Sequence, residues 1–399
     1  MIKIRNKKKV AVVLSGGGVK AAAFHVGVCL ALQEKGFRFV GGTRDQVEES
    51  PHVHDPLAIK TYVGSSAGSL ICAYLASGHS IEEIISGYQM GEGILKRPLE
   101  KTKLKAPNYF DVFSMNSPSL AGMAKSLFRR KDMPLSGGFE TLLKKNFKIG
   151  GLFTTKGIES YLRKKVLTTN SFGELGVDFF AVATFLNHSR KAVFGPKVEY
   201  LKSPETSYIN YATISDAVAA STSLPPVYAP YSIKSPEGED VYYFDGEIRD
   251  TLSTHVAADT GADLIISSYS IQPYHFTKEV GSLSQFGLPI IINQALYQVV
   301  EQKIIKSIQA REDIRVLLNT VSTYFKEHEL PAEHGEALVE MLIKKTKFPK
   351  GVDYIYIHPQ PQNYEMFFVD HFSLNPGILA RIVKIGFKSA ISVLRKFDF

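Results

Sequence analysis

Cysteine is nearly absent from this chain: Cys29 and Cys72 are the two in 399 residues. That excludes a disulfide-stapled fold, and both thiols read as small core residues compatible with a reducing compartment. Metal-ligand spacings are missing as well, since neither HExxH nor CxxC occurs. No apolar run is long enough to span a bilayer, because the longest uncharged stretch, Val280 to Val300, is broken by Pro289, Asn293 and several Gln and Ser residues. The basic start from Lys3 to Lys9 imitates a signal peptide, but Gly16, Gly17, Gly18 and Lys20 interrupt the apolar segment after it, so no leader is expected. There is also no RNA-binding or helix-turn-helix pattern, and nucleic acid is not an expected partner.

What the chain does have is enough apolar residue for a large core, at 44% hydrophobic and 22% charged. Near the N-terminus two glycine-rich turns each follow an apolar run. The first is Ser15-Gly16-Gly17-Gly18-Val19-Lys20, between Lys9-Val10-Ala11-Val12-Val13-Leu14 and an alanine-rich helical segment. Three successive glycines bare their backbone N–H groups at a helix start, which suits a tetrahedral oxyanion. A phosphate loop is the competing reading, but the GxxxxGK[ST] pattern is absent.

The second turn, Gly64-Ser65-Ser66-Ala67-Gly68, has the form GxSxG. It lies between Ile59-Lys60-Thr61-Tyr62-Val63 and Ser69-Leu70-Ile71-Cys72-Ala73, so it reads as strand, tight turn and helix. That is the setting of a nucleophile elbow, where small flanking residues let strand and helix approach. Ser66 is therefore the candidate nucleophile. An ordinary triad would take its base from a later histidine, and His255, His275, His328, His334, His358 and His371 all follow Ser66 without a setting that singles one out.

With a glycine loop, a GxSxG elbow and a later Phe244-Asp245-Gly246, the chain resembles the patatin-like phospholipase family. Phe179-Phe180-Ala181-Val182-Ala183-Thr184 and Ala219-Ala220-Ser221-Thr222-Ser223-Leu224-Pro225-Pro226-Val227-Tyr228-Ala229-Pro230 also fit that layout. The resemblance implies a phospholipase A type acyl hydrolase with Ser66 as nucleophile, Asp245 as base, and an oxyanion hole from Gly16, Gly17, Gly18 and Val19. Lys20, Gly64, Gly68 and Gly246 would support these motifs, and no metal or cofactor is implied. The chain departs from the family at Ala21, where glycine is usual, and at Glu247, where glycine or alanine is usual. Glu247 places a second carboxylate near Asp245, where like charges held close would raise one pKa and tune the base, but it is expected to face solvent, as most turn carboxylates do.

Charge is uneven. The chain carries +8 overall, whereas the stretch from Lys96 to Lys165 alone carries about +11. Within it Leu127 and Phe128 lie beside Arg129, Arg130 and Lys131, an amphipathic cationic pattern fit to dock on a phospholipid surface. The same apolar residues would serve equally for packing on a core. A loop from about Tyr109 to Ser136 is the candidate lid. A cytoplasmic, peripherally membrane-associated enzyme is expected, with an unidentified activator or export as an effector left open. Lysophospholipid and neutral lipid are alternative substrates, and a catalytically silent lipid-binding scaffold is the alternative function.

The expected fold is α/β, a central, mostly parallel sheet flanked by helices. Residues 9–275 form the catalytic core, 280–350 a polar helical insertion or lid layer, and 351–399 a strand and helix that return to the core. Pro376 marks the start of the last helix.

Overall fold

The computed structural model describes residues 4–91, 94, 102–116, 151, 153–196 and 205–398. The apolar runs form strands β1 (Val10–Leu14), β2 (Arg38–Phe39), β3 (Ala58–Ser65), β4 (Asp178–Phe185), β5 (Lys191–Phe194), β6 (Thr206–Ile209), β7 (Tyr231–Lys234), β8 (Asp240–Asp245), β9 (Leu264–Ser268) and β10 (Asp353–Ile357). These make one ten-stranded sheet whose main path runs β10-β9-β1-β3-β4-β8-β7. Pairing is parallel from β10 to β4 and antiparallel at β8 and β7. The sheet is thus mixed and mostly parallel at its centre. Parallel pairing needs crossovers, and those crossovers place helices on the sheet faces.

Eight helices concern the site and its supports: α1 (Gly18–Glu34), α2 (Ala67–Ala76), α3 (Lys156–Lys165), α4 (Ile214–Ser221), α5 (Thr254–Asp259), α6 (Leu288–Glu327), α7 (Ala332–Thr346) and α8 (Pro376–Leu394). The alternation of strand side chains sorts the core into two layers. Val10, Val12, Leu14, Tyr62, Phe179 and Ile266 pack with α1, α2, α4 and α8 on one face. Ala11, Val13, Val63, Phe180 and Ile265 pack on the other, against Val256 and Ala257 of α5 and Ile304 of α6. Cys29 and Cys72 are both free and buried, on α1 and α2.

Residues 280–350 contain α6, forty residues long, and α7. Arg311 of α6 lies over the rings of Tyr354 and Tyr356, 4.6 and 5.7 Å from their centroids, and so fastens this helix to β10. β10 pairs with β9 in parallel, from Leu264↔Asp353 to Ser268↔Ile357. α8 starts at Pro376, and the Asn375 side chain caps it by accepting from the amides of Gly377 and Ile378. Among the described residues no helix is long and apolar enough to cross a membrane. Leu127, Phe128, Arg129, Arg130 and Lys131 lie outside the described residues, as does the lid candidate beyond Asn116.

Candidate active site

Both glycine turns leave the C-terminal ends of adjacent central strands, because Leu14 at the end of β1 is in register with Gly64 near the end of β3. In open α/β sheets that edge is where ligands bind. Ser66 follows β3 and precedes α2, with φ 50° and ψ −124°. A positive φ is costly for a residue with a side chain and persists only where its surroundings hold it. Three hydrogen bonds do so. The Ser66 amide donates to Ser221 Oγ at 2.8 Å, Ser221 Oγ donates to the Val182 carbonyl at 2.5 Å, and Ser69 Oγ donates to the Ser66 carbonyl at 2.6 Å. Gly68 meets the other condition of the elbow, since a Cβ there would run into the Leu14 carbonyl of β1. At Gly64 a Cβ would stand 2.5 Å from the Ser69 backbone, and at Gly246 one would strike the Val182 carbonyl.

Asp245 ends β8 opposite Ala183 of β4, one residue beyond Val182, which pairs with Ser65. Registration thus carries the aspartate to the elbow from the far side of β4. Its backbone is fixed by an N–H donated to the Ser223 carbonyl and by Thr184 Oγ1 donating to its own carbonyl, both at 3.1 Å. The side chain is fully buried. Oδ1 accepts the Glu247 amide at 2.8 Å, while Oδ2 has no hydrogen-bond partner among the described residues. Burial raises this carboxyl to about 7, against the pull of the Ser66 hydroxyl and the Glu247 amide.

The glycine loop divides into parts with different employment. The Gly16 amide donates to Glu247 Oε1 at 2.7 Å, so it is already occupied. Gly17 (φ 128°) and Gly18 (φ 72°) have the backbone that favours glycine, and they turn the chain into α1. With Val19 they form the start of that helix, where amides lack an intrahelical acceptor. Lys20 is buried and holds the loop from below: Nζ donates to the Met366 carbonyl at 2.6 Å and stands 5.1 Å from the Tyr297 ring centroid. Burial lowers its ammonium to about 7, against the opposing attraction of Asp370.

An apolar cavity of about 60 Å³ opens beside Ser66, walled by Leu70, Val112, Ile158, Tyr228, Phe372 and Leu374. Phe113, in the described part of the lid candidate, stacks on Tyr228 and meets Phe372 edge-on. The described lining includes nothing from residues 280–350; within them Ile304 of α6 packs on the opposite sheet face, while Tyr297 of the same helix meets Lys20 and His371.

The histidines are employed elsewhere. His371 Nε2 bonds the Tyr297 hydroxyl at 2.6 Å, and His255 lies 3.5 Å from Asp250 within a group that includes Lys191. His358 bonds the Pro359 carbonyl and stacks on Tyr269, and His275, His328 and His334 are exposed. Among the described residues no histidine is hydrogen-bonded to Ser66 or Asp245.

One expectation is overturned: Glu247 does not face solvent but is 8% exposed, folded in between Asp245 and the glycine loop. Sequence alone does not single out Ser221, Phe372 or Leu374 as parts of the site. Ser221 does lie within the segment from Ala219 to Pro230 that fits the family layout. Phe372 and Leu374 carry no local signal and arrive only through tertiary packing.

Residues 12–258, more than half of the chain, match a family model described as patatin-like phospholipase. A search of curated proteins found no match.

Proposed function

The chain belongs to the patatin-like phospholipase family, whose members are lipid acyl hydrolases, and on that premise we propose that it cleaves fatty-acyl esters of membrane phospholipids with a Ser66–Asp245 dyad. One observation carries the reading: beside the strained elbow lies a buried carboxyl whose Oδ2 has no hydrogen-bond partner among the described residues, and the Ser66 hydroxyl draws its pKa down against burial. With its carboxyl raised to about 7, Asp245 is a far better proton acceptor at neutral pH than an ordinary aspartate.

In the proposed sequence Ser66 Oγ attacks the acyl carbonyl as Asp245 takes its proton. Negative charge then develops on the carbonyl oxygen, where the amides of Gly17, Gly18 and Val19 receive it. The leaving alcohol takes the proton back, and water activated by the same carboxylate releases the fatty acid from the acyl-enzyme. The apolar walls beside Ser66 suit an acyl chain and offer little to a charged group. Bilayer contact through the cationic stretch from Lys96 to Lys165 belongs to the same proposal.

The test is fatty-acid release from mixed phospholipid vesicles, with and without anionic lipid and with chelator present. Wild type is expected to release fatty acid, faster on anionic vesicles, while Ser66→Ala and Asp245→Asn each fall by at least about 10³-fold. Release confined to lysophospholipid or neutral lipid would move the substrate assignment. Full activity in Asp245→Asn would end the dyad, and silence of wild type on every lipid would favour a binding role.

A further inference from the structure

Glu247 stands where two parts of the proposed machinery meet. Its backbone amide donates to Asp245 Oδ1 at 2.8 Å, and its carboxyl accepts the Gly16 amide at 2.7 Å. The contact with the loop is tight. A Cβ on Gly16 would stand 2.5 Å from Glu247 Cγ and 2.7 Å from Ser66 Cβ, so glutamate, loop and nucleophile close around one point. Glu247 Oε2 is buried without a hydrogen-bond partner among the described residues.

The charges around it are unfavourable to a second anion. Asp245 faces it from β8, and Asp250 follows it in the chain. The cations nearby are engaged elsewhere: Lys191 bonds Asp250 at 2.9 Å, with His255 on the same carboxylate, Lys303 donates to the Ile248 carbonyl, and Arg311 reaches Thr254. From α1, His25 is held neutral by burial, bonded to the Ser15 carbonyl and Ser268 Oγ. The Ser65 hydroxyl is the polar neighbour from the elbow. Two enclosed carboxyls with no cation bound to either cannot both ionise readily.

We propose that Glu247 is a positioning residue for the Ser66 reaction, which clamps the glycine loop at Gly16 and keeps its own proton at neutral pH, so that the Asp245–Glu247 pair carries at most one negative charge. Resting on the hydrolase reading above, this inference adds a role for a residue that reading does not use. Burial, and next to it the charge of Asp245, push the Glu247 carboxyl well above the usual carboxylate range, in agreement with the geometry. As pH rises Asp245 ionises first and activity appears. When Glu247 ionises in turn, a second charge arises under the oxyanion loop and activity declines. A bell-shaped profile follows, whose alkaline limb belongs to Glu247.

Two measurements test this. Infrared spectra of the wild-type protein, unlabelled and with [¹³C]glutamate, are taken at pH 7. A protonated-carboxyl band that shifts on glutamate labelling and disappears in Glu247→Gln is the expected result. No such glutamate band would overturn the proposal whether or not the protein hydrolyses lipid, and without any variant having to fold.

The second is kcat/KM against pH on a soluble ester. Glu247→Ala is expected to lose about 10²-fold through displacement of the loop. Glu247→Gln should recover much of that loss and shed the alkaline limb, leaving the acid limb in place. An unaltered alkaline limb in Glu247→Gln, or wild-type rates in Glu247→Ala, would refute the clamp. Persistence of turnover in Ser66→Ala would instead refute the hydrolase reading, and the infrared result would stand apart from it.

Discussion

As the proposed base, Asp245 is held by the fold in a place where ionisation is costly, and that cost has a sign that can be read in stability. Its carboxyl sits near the ordinary 3.8 in the unfolded chain and at about 7 when folded. Below pH 4 both states are protonated and the site costs nothing. Between pH 4 and pH 7 the folded state binds the extra proton, so stability declines as pH rises, and above pH 7 the penalty is fully present. At roughly 1.4 kcal/mol per pH unit this is on the order of 4 kcal/mol. Asp245→Asn removes it and leaves the Glu247 amide an acceptor. The variant should therefore unfold at higher temperature than wild type at pH 8, with little advantage at pH 4, while being inactive at both. Thermal melts at the two pH values check this, and a variant less stable than wild type at pH 8 would refute it. Ser66 and Asp245 stand out in the sequence as candidates because their motifs encode local geometry. Glu247 does not, because a glutamate after Asp-Gly looks the same whether its turn faces water or is folded beneath another loop. Its burial comes from Gly16, some 230 positions away.

Between elements α1 and α8 fit closely. A Cβ on Gly27 of α1 would strike the Val383 carbonyl of α8, and one on Gly386 of α8 would strike the Phe24 carbonyl of α1. Each helix thus lays a glycine against the other's backbone, and the pair comes closer than larger side chains permit. Since α1 carries the glycine loop, the proposed oxyanion hole, at its N-terminus, a shift in this crossing is passed to the candidate site. Gly386→Val should cost at least about 1–3 kcal/mol, the usual range for overpacking, and lower kcat as well. Denaturant melts together with turnover measure both, and a neutral outcome would show that the crossing has slack. The C-terminal helix itself was readable from Pro376 and its apolar spacing. Its partner was not, because helical periodicity reports an apolar face and says nothing of which face it meets. The same limit holds for residues 280–350: their polar helical character is evident, but only the burial of Ile304 in one cluster with Ala257 and Ile265 shows that this part of α6 packs on the sheet face away from the cavity.

For the molecule as a whole, the family match ends at residue 258, whereas the candidate site does not. The Lys20 ammonium is held by the Met366 carbonyl, and the Lys20 amide reaches the His371 carbonyl at 3.4 Å. A Cβ on Gly18 would stand 2.5 Å from that same carbonyl, so the chain at His371 lies directly against the glycine loop. Phe372 and Leu374 complete the apolar wall beside Ser66, and β10 closes its side of the sheet along β9. Segments beyond the match therefore seat the glycine loop. A chain cut after Asn375 keeps every motif named in the sequence, yet uncovers the α1 surface that α8 covers around Phe24 and Gly27. Hydrophobic burial on that scale exceeds what a marginally stable fold can lose. Residues 1–375 should therefore lose near-ultraviolet circular dichroism, bind a hydrophobic dye, and fail to label at Ser66 with a phosphonate ester that the full chain accepts. If residues 1–375 instead label at the full-chain rate, the loop is self-supporting and residues 12–258 with their immediate flanks are sufficient for the chemistry.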